Sequence, residues 1–373
     1  MSAQRTIHSR KALEQIQPYS PGKPMWELQS ELGLDKVIKL ASNENPFGPS
    51  EEAVKAITQC ASQINRYPDA QALHLKQMIA VSTDLTQEQL IITNGADELI
   101  TLISETYLEA GDEIIVPAPS FREYNFGAHL MGAKVVPVAL GENFTFKIDA
   151  ILAAVTERTK IVYICSPNNP TGTYLSKVNL DLLLNELPPN VLIVFDAAYW
   201  HYATAEDYTN GMKYIALNYP IIVLQTFSKI YGLAGIRVGF GAARKDIIQS
   251  ILKVKEPFNV NALAQVAALA AFTDDMHMIR SKMLNTKGRK QLYQGFSEMN
   301  LHYIESMSNF VLVKIGPNAE AFNHQLLQRG IIVRYGDIWG LPEYIRVSVG
   351  TAEENDMLIK EMKSIFNVNH QRV

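Results

Sequence analysis

The chain has 373 residues, 47% of them hydrophobic, with 34 lysines and arginines against 38 acidic residues, which is more chain than one hydrophobic core usually supports, so two domains are expected. A net charge of -4 excludes a general attraction to nucleic acid or to an anionic membrane and confines anion binding to a local site. Two cysteines, Cys60 and Cys165, exclude a disulfide framework, and a polar N-terminal stretch with no apolar run near the roughly 18 residues that cross a bilayer leads to the expectation of a cytoplasmic protein.

In chain order, residues 1 to about 36 show no strong period, and Pro18, Pro21, Gly22 and Pro24 make an irregular, wrapping arm ahead of Trp26 to Leu32. Val37 to Leu40 reads as a short strand. The turn-rich loop from Asn43 to Pro49 has two readings of about equal weight, a substrate contact through its backbone and Asn43 or a plain connection. Ser50, with Glu51 and Glu52 behind it, caps the next helix.

From Leu90 onward, short apolar runs alternate with helical patterns. The runs are Leu90–Thr93, Glu113–Val116, Lys134–Val138, Lys160–Cys165, Val191–Phe195 and Ile221–Leu224. Such alternation predicts an α/β fold with a mostly parallel sheet covered on both faces. A seventh run, Val238 to Ala242, follows too closely for a helical crossover and is expected to be antiparallel. Helical stretches from Val260 to Phe272 and from Asp275 to Met299 lead away from the sheet. Phe310–Val313, a helix from Ala319 to Arg329, Ile331–Arg334, Ile345–Val349 and a helix from Glu353 to Phe366 then form a compact α+β unit. The expected division is a large domain of residues 48–272 and a small one made of 1–47 with 273–373.

The chemistry gathers after the run Ile221–Leu224. Lys229 stands at the carboxyl end of that strand, where open α/β sheets bind ligands and where an amine can form a covalent imine. Thr226, Ser228 and, eight residues beyond the lysine, Arg237 suit a phosphate. Lys229 alone would read as an ordinary surface lysine; the surrounding hydroxyls, glycines and arginine weaken that reading.

The stretch Ser228-Lys229 followed by Gly-Leu-Ala-Gly-Ile-Arg, ending at Arg237, resembles the lysine motif of pyridoxal-phosphate aminotransferases of the aspartate-aminotransferase fold type. Leu40-Ala41-Ser42-Asn43-Glu44-Asn45-Pro46 and Asn65-Arg66-Tyr67-Pro68-Asp69 bring it nearest to the histidinol-phosphate aminotransferases. The resemblance implies fold type I, a pyridoxal 5'-phosphate cofactor bound to Lys229, and transamination of L-histidinol phosphate with 2-oxoglutarate in histidine biosynthesis. It also implies a homodimer in which Tyr67 reaches the neighbour's cofactor phosphate. No metal is expected.

Such a cofactor asks for an acid at its ring nitrogen, donors to its phenolic oxygen, a phosphate cradle and a stacking ring. Asp196, ending the apolar strand Val191–Phe195, is the acid candidate; its second-ranked alternative is to cap the next helix. Tyr199 and Asn169, the latter in the turn Ser166 to Gly172, are the phenolic-oxygen donors. The backbone amides of Ala96 and Asp97 at a helix start join Thr226, Ser228 and Arg237 around the phosphate, with the acidic side chains of Asp97 and Glu98 expected to point away. Phe121 is the stacking ring, with Tyr124 a competitor. Arg346 is assigned to the substrate carboxylate, and Arg334 with Tyr19 to the substrate phosphate; either arginine could instead be a structural ion pair.

Two features depart from the family pattern. Trp200-His201-Tyr202 stands where the family commonly has an acid, and residues 205–211 look like an added loop. Rival readings are an aromatic-amino-acid aminotransferase, a decarboxylase or racemase of the same fold type, and a regulatory cofactor-binding module. A nucleotide-binding domain is not supported, because no Gly-x-Gly-x-x-Gly turn follows a strand in this chain.

Overall fold

The structure is a computed structural model that describes residues 7–16, 25–34 and 36–370. Thirteen strands are present among them: β1 Ile38–Lys39, β2 Leu90–Thr93, β3 Glu113–Ala118, β4 Lys134–Ala139, β5 Thr159–Cys165, β6 Leu192–Asp196, β7 Ile221–Thr226, β8 Gly239–Ala243, β9 Tyr303–Ile304, β10 Phe310–Lys314, β11 Ile331–Ile332, β12 Arg334–Tyr335 and β13 Tyr344–Ser348.

All seven runs expected from the sequence enter one sheet, ordered β2-β8-β7-β6-β5-β3-β4. The pairs from β4 to β7 are parallel, and β8 runs antiparallel to both β7 and β2. Successive residues of each central strand point to opposite faces, and here both faces are apolar. Ile193, Phe195, Ile221 and Val223 enter one core, while Leu192, Val194, Ile222 and Leu224 enter the other. Double burial explains why the strands read as unbroken apolar runs rather than alternating ones.

Capping residues place the helix starts. The Ser50 hydroxyl accepts from the Ala53 amide at 3.1 Å, starting the helix Glu51–Cys60 as its sequence predicts. Asn261 and Asp274 cap the helices Ala262–Phe272 and Asp275–Glu298 in the same way, so the first begins two residues later than its apolar pattern suggests.

A second, antiparallel sheet, β12-β13-β10-β9, packs against the helices Asp275–Glu298, Ala319–Gln328 and Ala352–His370 around a separate core that includes Leu292, Phe322, Val347 and Leu358. The run Ile331–Arg334 is not one strand. Ile331–Ile332 pairs in parallel with β1, whereas Arg334–Tyr335 pairs antiparallel with β13. The backbone changes partners at Val333, a break hidden in the sequence because the residues before it are uniformly apolar. Of the N-terminal arm, Lys11–Gln15 forms a 3-10 turn and Met25–Leu32 a helix, and Arg10 donates to the Leu130 carbonyl at 2.6 Å. Among the described residues no helix is long and apolar enough to cross a membrane.

The loop bearing Lys229 is pressed against the segment before the Ser50 helix. Gly232 has φ +68°, and a Cβ there would lie 2.2 Å from the Gly48 carbonyl oxygen, so both the left-handed backbone and the lack of space require glycine. Gly232→Ala should lower the unfolding free energy by about 2 kcal/mol or more, read as the urea midpoint shift at unchanged m-value. An unchanged midpoint would mean that the two segments do not meet.

Candidate active site

The carboxyl ends of β2, β3, β5, β6 and β7 lie at one edge of the large sheet, and the turn after each brings part of the candidate site. Behind β7, the Thr226 hydroxyl accepts from the Ser228 amide at 3.0 Å, and Lys229 extends to 3.4 Å from the Ser42 carbonyl oxygen and 5.6 Å from the centre of the Tyr199 ring. Burial, reinforced by the positive charge of Arg346, pulls the Lys229 amine down to about 8, so a sizeable neutral fraction exists near neutral pH.

β6 ends on Asp196, only 4% exposed. One carboxylate oxygen accepts the Tyr124 hydroxyl at 2.7 Å and the other the Ala198 amide at 3.0 Å. Burial pushes this carboxyl above its ordinary range, while the hydroxyl and amide pull it back. The bond to the Ala198 amide closes the acid's own turn rather than capping the next helical turn, which starts behind Tyr199, and the carboxylate is buried within electrostatic reach of Lys229. In the same turn, Tyr199 is buried edge-on against Phe310 and accepts from Asn43 Nδ2 at 3.0 Å. Burial raises its hydroxyl well clear of the physiological range, so it stays protonated.

From the turn behind β5, Asn169 Oδ1 accepts from Arg346 Nη1. Arg346, in β13, donates its other terminal nitrogen to the Ala41 carbonyl at 2.6 Å and lies 4.9 Å from the Trp339 ring centre. Arg334 sits directly opposite Arg346 in the β12–β13 register. The two cations therefore share one face of the small sheet.

At the end of β2 the chain turns through Gly95, φ +84°, into the helix Ala96–Tyr107, whose first amides have no side-chain cap. A Cβ at Gly95 would fall 2.4 Å from Arg237 Nη2, so only glycine leaves the guanidinium its place. Arg237 Nη1 donates to the Ser228 hydroxyl at 3.1 Å, and Nη2 meets Asp97 Oδ2 at 3.2 Å. That second contact corrects the expectation for Asp97: its carboxylate turns toward the arginine beside the Gly95 turn, because opposite charges attract at this range. Glu98 does turn away, to the Asn94 amide and Asn259. Phe121 is partly buried and edge-on to Tyr124.

The remaining candidates divide. Asn43 is buried with φ +55°, and its side-chain amide is engaged by Tyr199 and Ser348. Tyr67 is 83% exposed and stacks on Phe258, apart from the other site residues of its own chain. Tyr19 lies outside the described residues. His201 sits 3.2 Å from the Tyr231 hydroxyl, and burial lowers it to about 3, which keeps it neutral. Residues 205–211 are tied down rather than loose, since Tyr208 donates to the Ser166 carbonyl and the Asp207 carbonyl accepts from the Lys177 amide.

One contact and one residue escaped the sequence reading. Tyr124 serves as the partner of Asp196 rather than as a stacking ring; its position three residues past Phe121, at the start of a helix, is the local signal that could have suggested a shared site. Trp339 reaches Arg346 only through strand pairing, which leaves no local signal.

A family model described as aminotransferase class I and II matches residues 35–362. The histidinol-phosphate aminotransferase of Moorella thermoacetica is 46% identical over 96% of this chain and 92% of its own length, and histidinol-phosphate aminotransferase 2 of Carboxydothermus hydrogenoformans is 42% identical over 96% and 99%. Among solved structures, histidinol-phosphate aminotransferase from Sinorhizobium meliloti in complex with pyridoxal-5'-phosphate has a TM-score of 0.88 and 24% identity, covering 97% of this chain and 99% of that one. Aspartate aminotransferase from Thermus thermophilus with maleate has a TM-score of 0.84 and 22% identity, covering 97% and 100%. At these identities both structures are likenesses of fold.

The depressed Lys229 amine gives a pH test on the cofactor-free chain. Reductive methylation of Lys229, followed by peptide mapping, should reach half its maximal rate near pH 8, because only the neutral amine reacts and its fraction grows as pH rises through that value. A midpoint near the ordinary lysine value of about 10.4 would mean that the amine is solvated.

Proposed function

We propose that this chain, which belongs to the class I and II aminotransferase family and within it to the histidinol-phosphate aminotransferases, transfers the amino group of L-histidinol phosphate to 2-oxoglutarate. The products are imidazole acetol phosphate and L-glutamate, a step of histidine biosynthesis. The observation that carries the substrate reading is the facing pair Arg334 and Arg346, an arrangement suited to a dianionic phosphate as well as to a carboxylate.

The cofactor is pyridoxal 5'-phosphate, and the residues present fit it. A buried carboxylate hydrogen-bonded by the neutral groups of Tyr124 and Ala198, that of Asp196, is matched by a protonated ring nitrogen. The uncapped amides of Ala96 and Asp97, with Thr226, Ser228 and Arg237, would hold the phosphate. Tyr199 and Asn169 would serve the phenolic oxygen, Phe121 the ring face, and Lys229 the aldehyde carbon. Bound there, the cofactor supplies the electron sink that makes the carbon next to the amino group acidic.

The chain's own residues do the rest. Lys229 Nζ, kept partly neutral by burial, would serve as the base that takes the proton from that carbon and as the acid that delivers it to the aldehyde-derived carbon of the cofactor. Asp196 would face the ring nitrogen and, ionised opposite that cation, would hold a proton on it. Arg346 holds the glutamate carboxylate and, with Arg334 and Tyr19, the substrate phosphate. Asn43 contributes by holding Tyr199.

The same reading divides the chain into a large unit of residues 48–272 and a small one of 1–47 with 273–373, supported by the pairing of β1 with β11. It makes the protein a cytoplasmic homodimer. Tyr67, exposed to 83% in the single chain, is then the residue offered to the partner.

Arg334→Ala should reduce kcat/KM for histidinol phosphate by roughly ten- to a hundred-fold, the equivalent of one charged contact of about 1.5 to 3 kcal/mol, and leave any phenylalanine turnover nearly unchanged. Equal losses on both substrates, or a wild type that prefers phenylalanine, would move the chain to the aromatic aminotransferases. For the shared site, inactive Lys229→Ala mixed with a severely impaired Tyr67→Ala should regain activity through heterodimers carrying one intact site. Full activity in a strictly monomeric preparation would overturn the dimer.

A further inference from the structure

Asn43 is held through its backbone and its side chain, and these bonds fix its orientation. Its backbone N–H donates to the Ser348 hydroxyl oxygen at 2.8 Å. That hydroxyl donates in turn to Asn43 Oδ1 at 2.9 Å. With Oδ1 facing Ser348, Nδ2 faces Tyr199 and donates to its oxygen at 3.0 Å. The Tyr199 oxygen is therefore an acceptor toward Asn43, and its own proton must point elsewhere. Among the described residues no group accepts that proton.

The holder is itself held. The Asn43 carbonyl accepts from Asn309 Nδ2 at 2.9 Å, and its φ of +55° is one that asparagine tolerates better than most residues. Ser348 stands two residues beyond Arg346 in β13, so its side chain shares that arginine's face of the strand. One strand thus carries both the substrate-anion arginine and the hydroxyl that sets the Asn43 amide.

We infer that Asn43 and Ser348 are positioning residues that dictate the donor direction of Tyr199, turning its proton away from the small sheet and toward the phenolic oxygen of the bound cofactor. This rests on the cofactor reading above. Asn43 acts through Tyr199 and contacts no reacting atom.

The isosteric exchange Asn43→Asp reverses the bond. A carboxylate has only acceptors, so it would draw the Tyr199 proton to itself and leave the cofactor oxygen without that donor. In cofactor-loaded protein, the pH midpoint of the visible absorbance change should rise by about one unit, since losing a donor disfavours the deprotonated oxygen. kcat should fall about tenfold or more, with a smaller change in KM. Tyr199→Phe should give the same midpoint shift, and the double variant Asn43→Asp/Tyr199→Phe should add nothing to it, because both changes remove one donor. Ser348→Ala, which frees the amide to rotate, should shift the midpoint in the same direction by less, and it decides the matter if Asn43→Asp does not fold. A wild-type midpoint in Asn43→Asp, or in Ser348→Ala where that variant decides, overturns the inference, as does full additivity with Tyr199→Phe. A wild type that shows no visible cofactor band after incubation with pyridoxal phosphate overturns the cofactor reading instead.

Discussion

The Arg346 guanidinium joins three parts of the chain that are far apart in sequence. It leaves β13 of the small sheet, takes the Asn169 side chain from the turn behind β5, and takes the Ala41 carbonyl from the segment after β1. A guanidinium that is 5% exposed is costly to desolvate, and the cost is tolerable only if its donors are met with good geometry. The two terminal nitrogens are met in this way, which fixes the distance between the two sheets at the point where a ligand would lie. Loss of any one contact would leave a buried charge poorly compensated.

Around that clamp, the ionisable groups are set by burial more than by one another. Lys229 is pulled down, and Asp196 is pushed up, chiefly because each has been taken out of water. In the free protein both shifts are unfavourable, and both are relieved by a ligand that offers an electrophilic carbon to the amine and a cation to the carboxylate. Binding free energy is stored in this way as desolvation that the fold has already imposed. The neutral residues Tyr124, Tyr199 and Asn43 do the orienting.

The large sheet was legible because doubly buried strands must be apolar throughout, and the turns behind them carry polar residues that have no reason to sit there except chemistry. Thus Asp196 stands out by position, and Lys229 does so together with the hydroxyls, glycines and arginine around it, whereas the segment bearing Asn169 reads as a rigid turn until the family resemblance assigns it a role. The exchange of partners at Val333 was not legible, since Ile331, Ile332 and Val333 are equally suited to either sheet. The turn of Asp97 toward Arg237 was missed for another reason. The two residues lie 140 positions apart, so their contact leaves no local signal. The Asn43 loop read about equally as a substrate contact or as a plain connection, because its burial comes from bonds to Ser348 and Tyr199, which are far away in sequence.

Val333 is the single residue between the strand that carries the N-terminal segment and the strand that carries Arg334. Because side chains alternate along an extended chain, one added or deleted residue there would carry Arg334 to the face opposite Arg346. Related sequences can alter this pocket by exchanging side chains, but a change of length at this junction would dismantle it. The spacing between Ile332 and Arg334 should therefore be as invariant across descendants of this fold as the arginine itself.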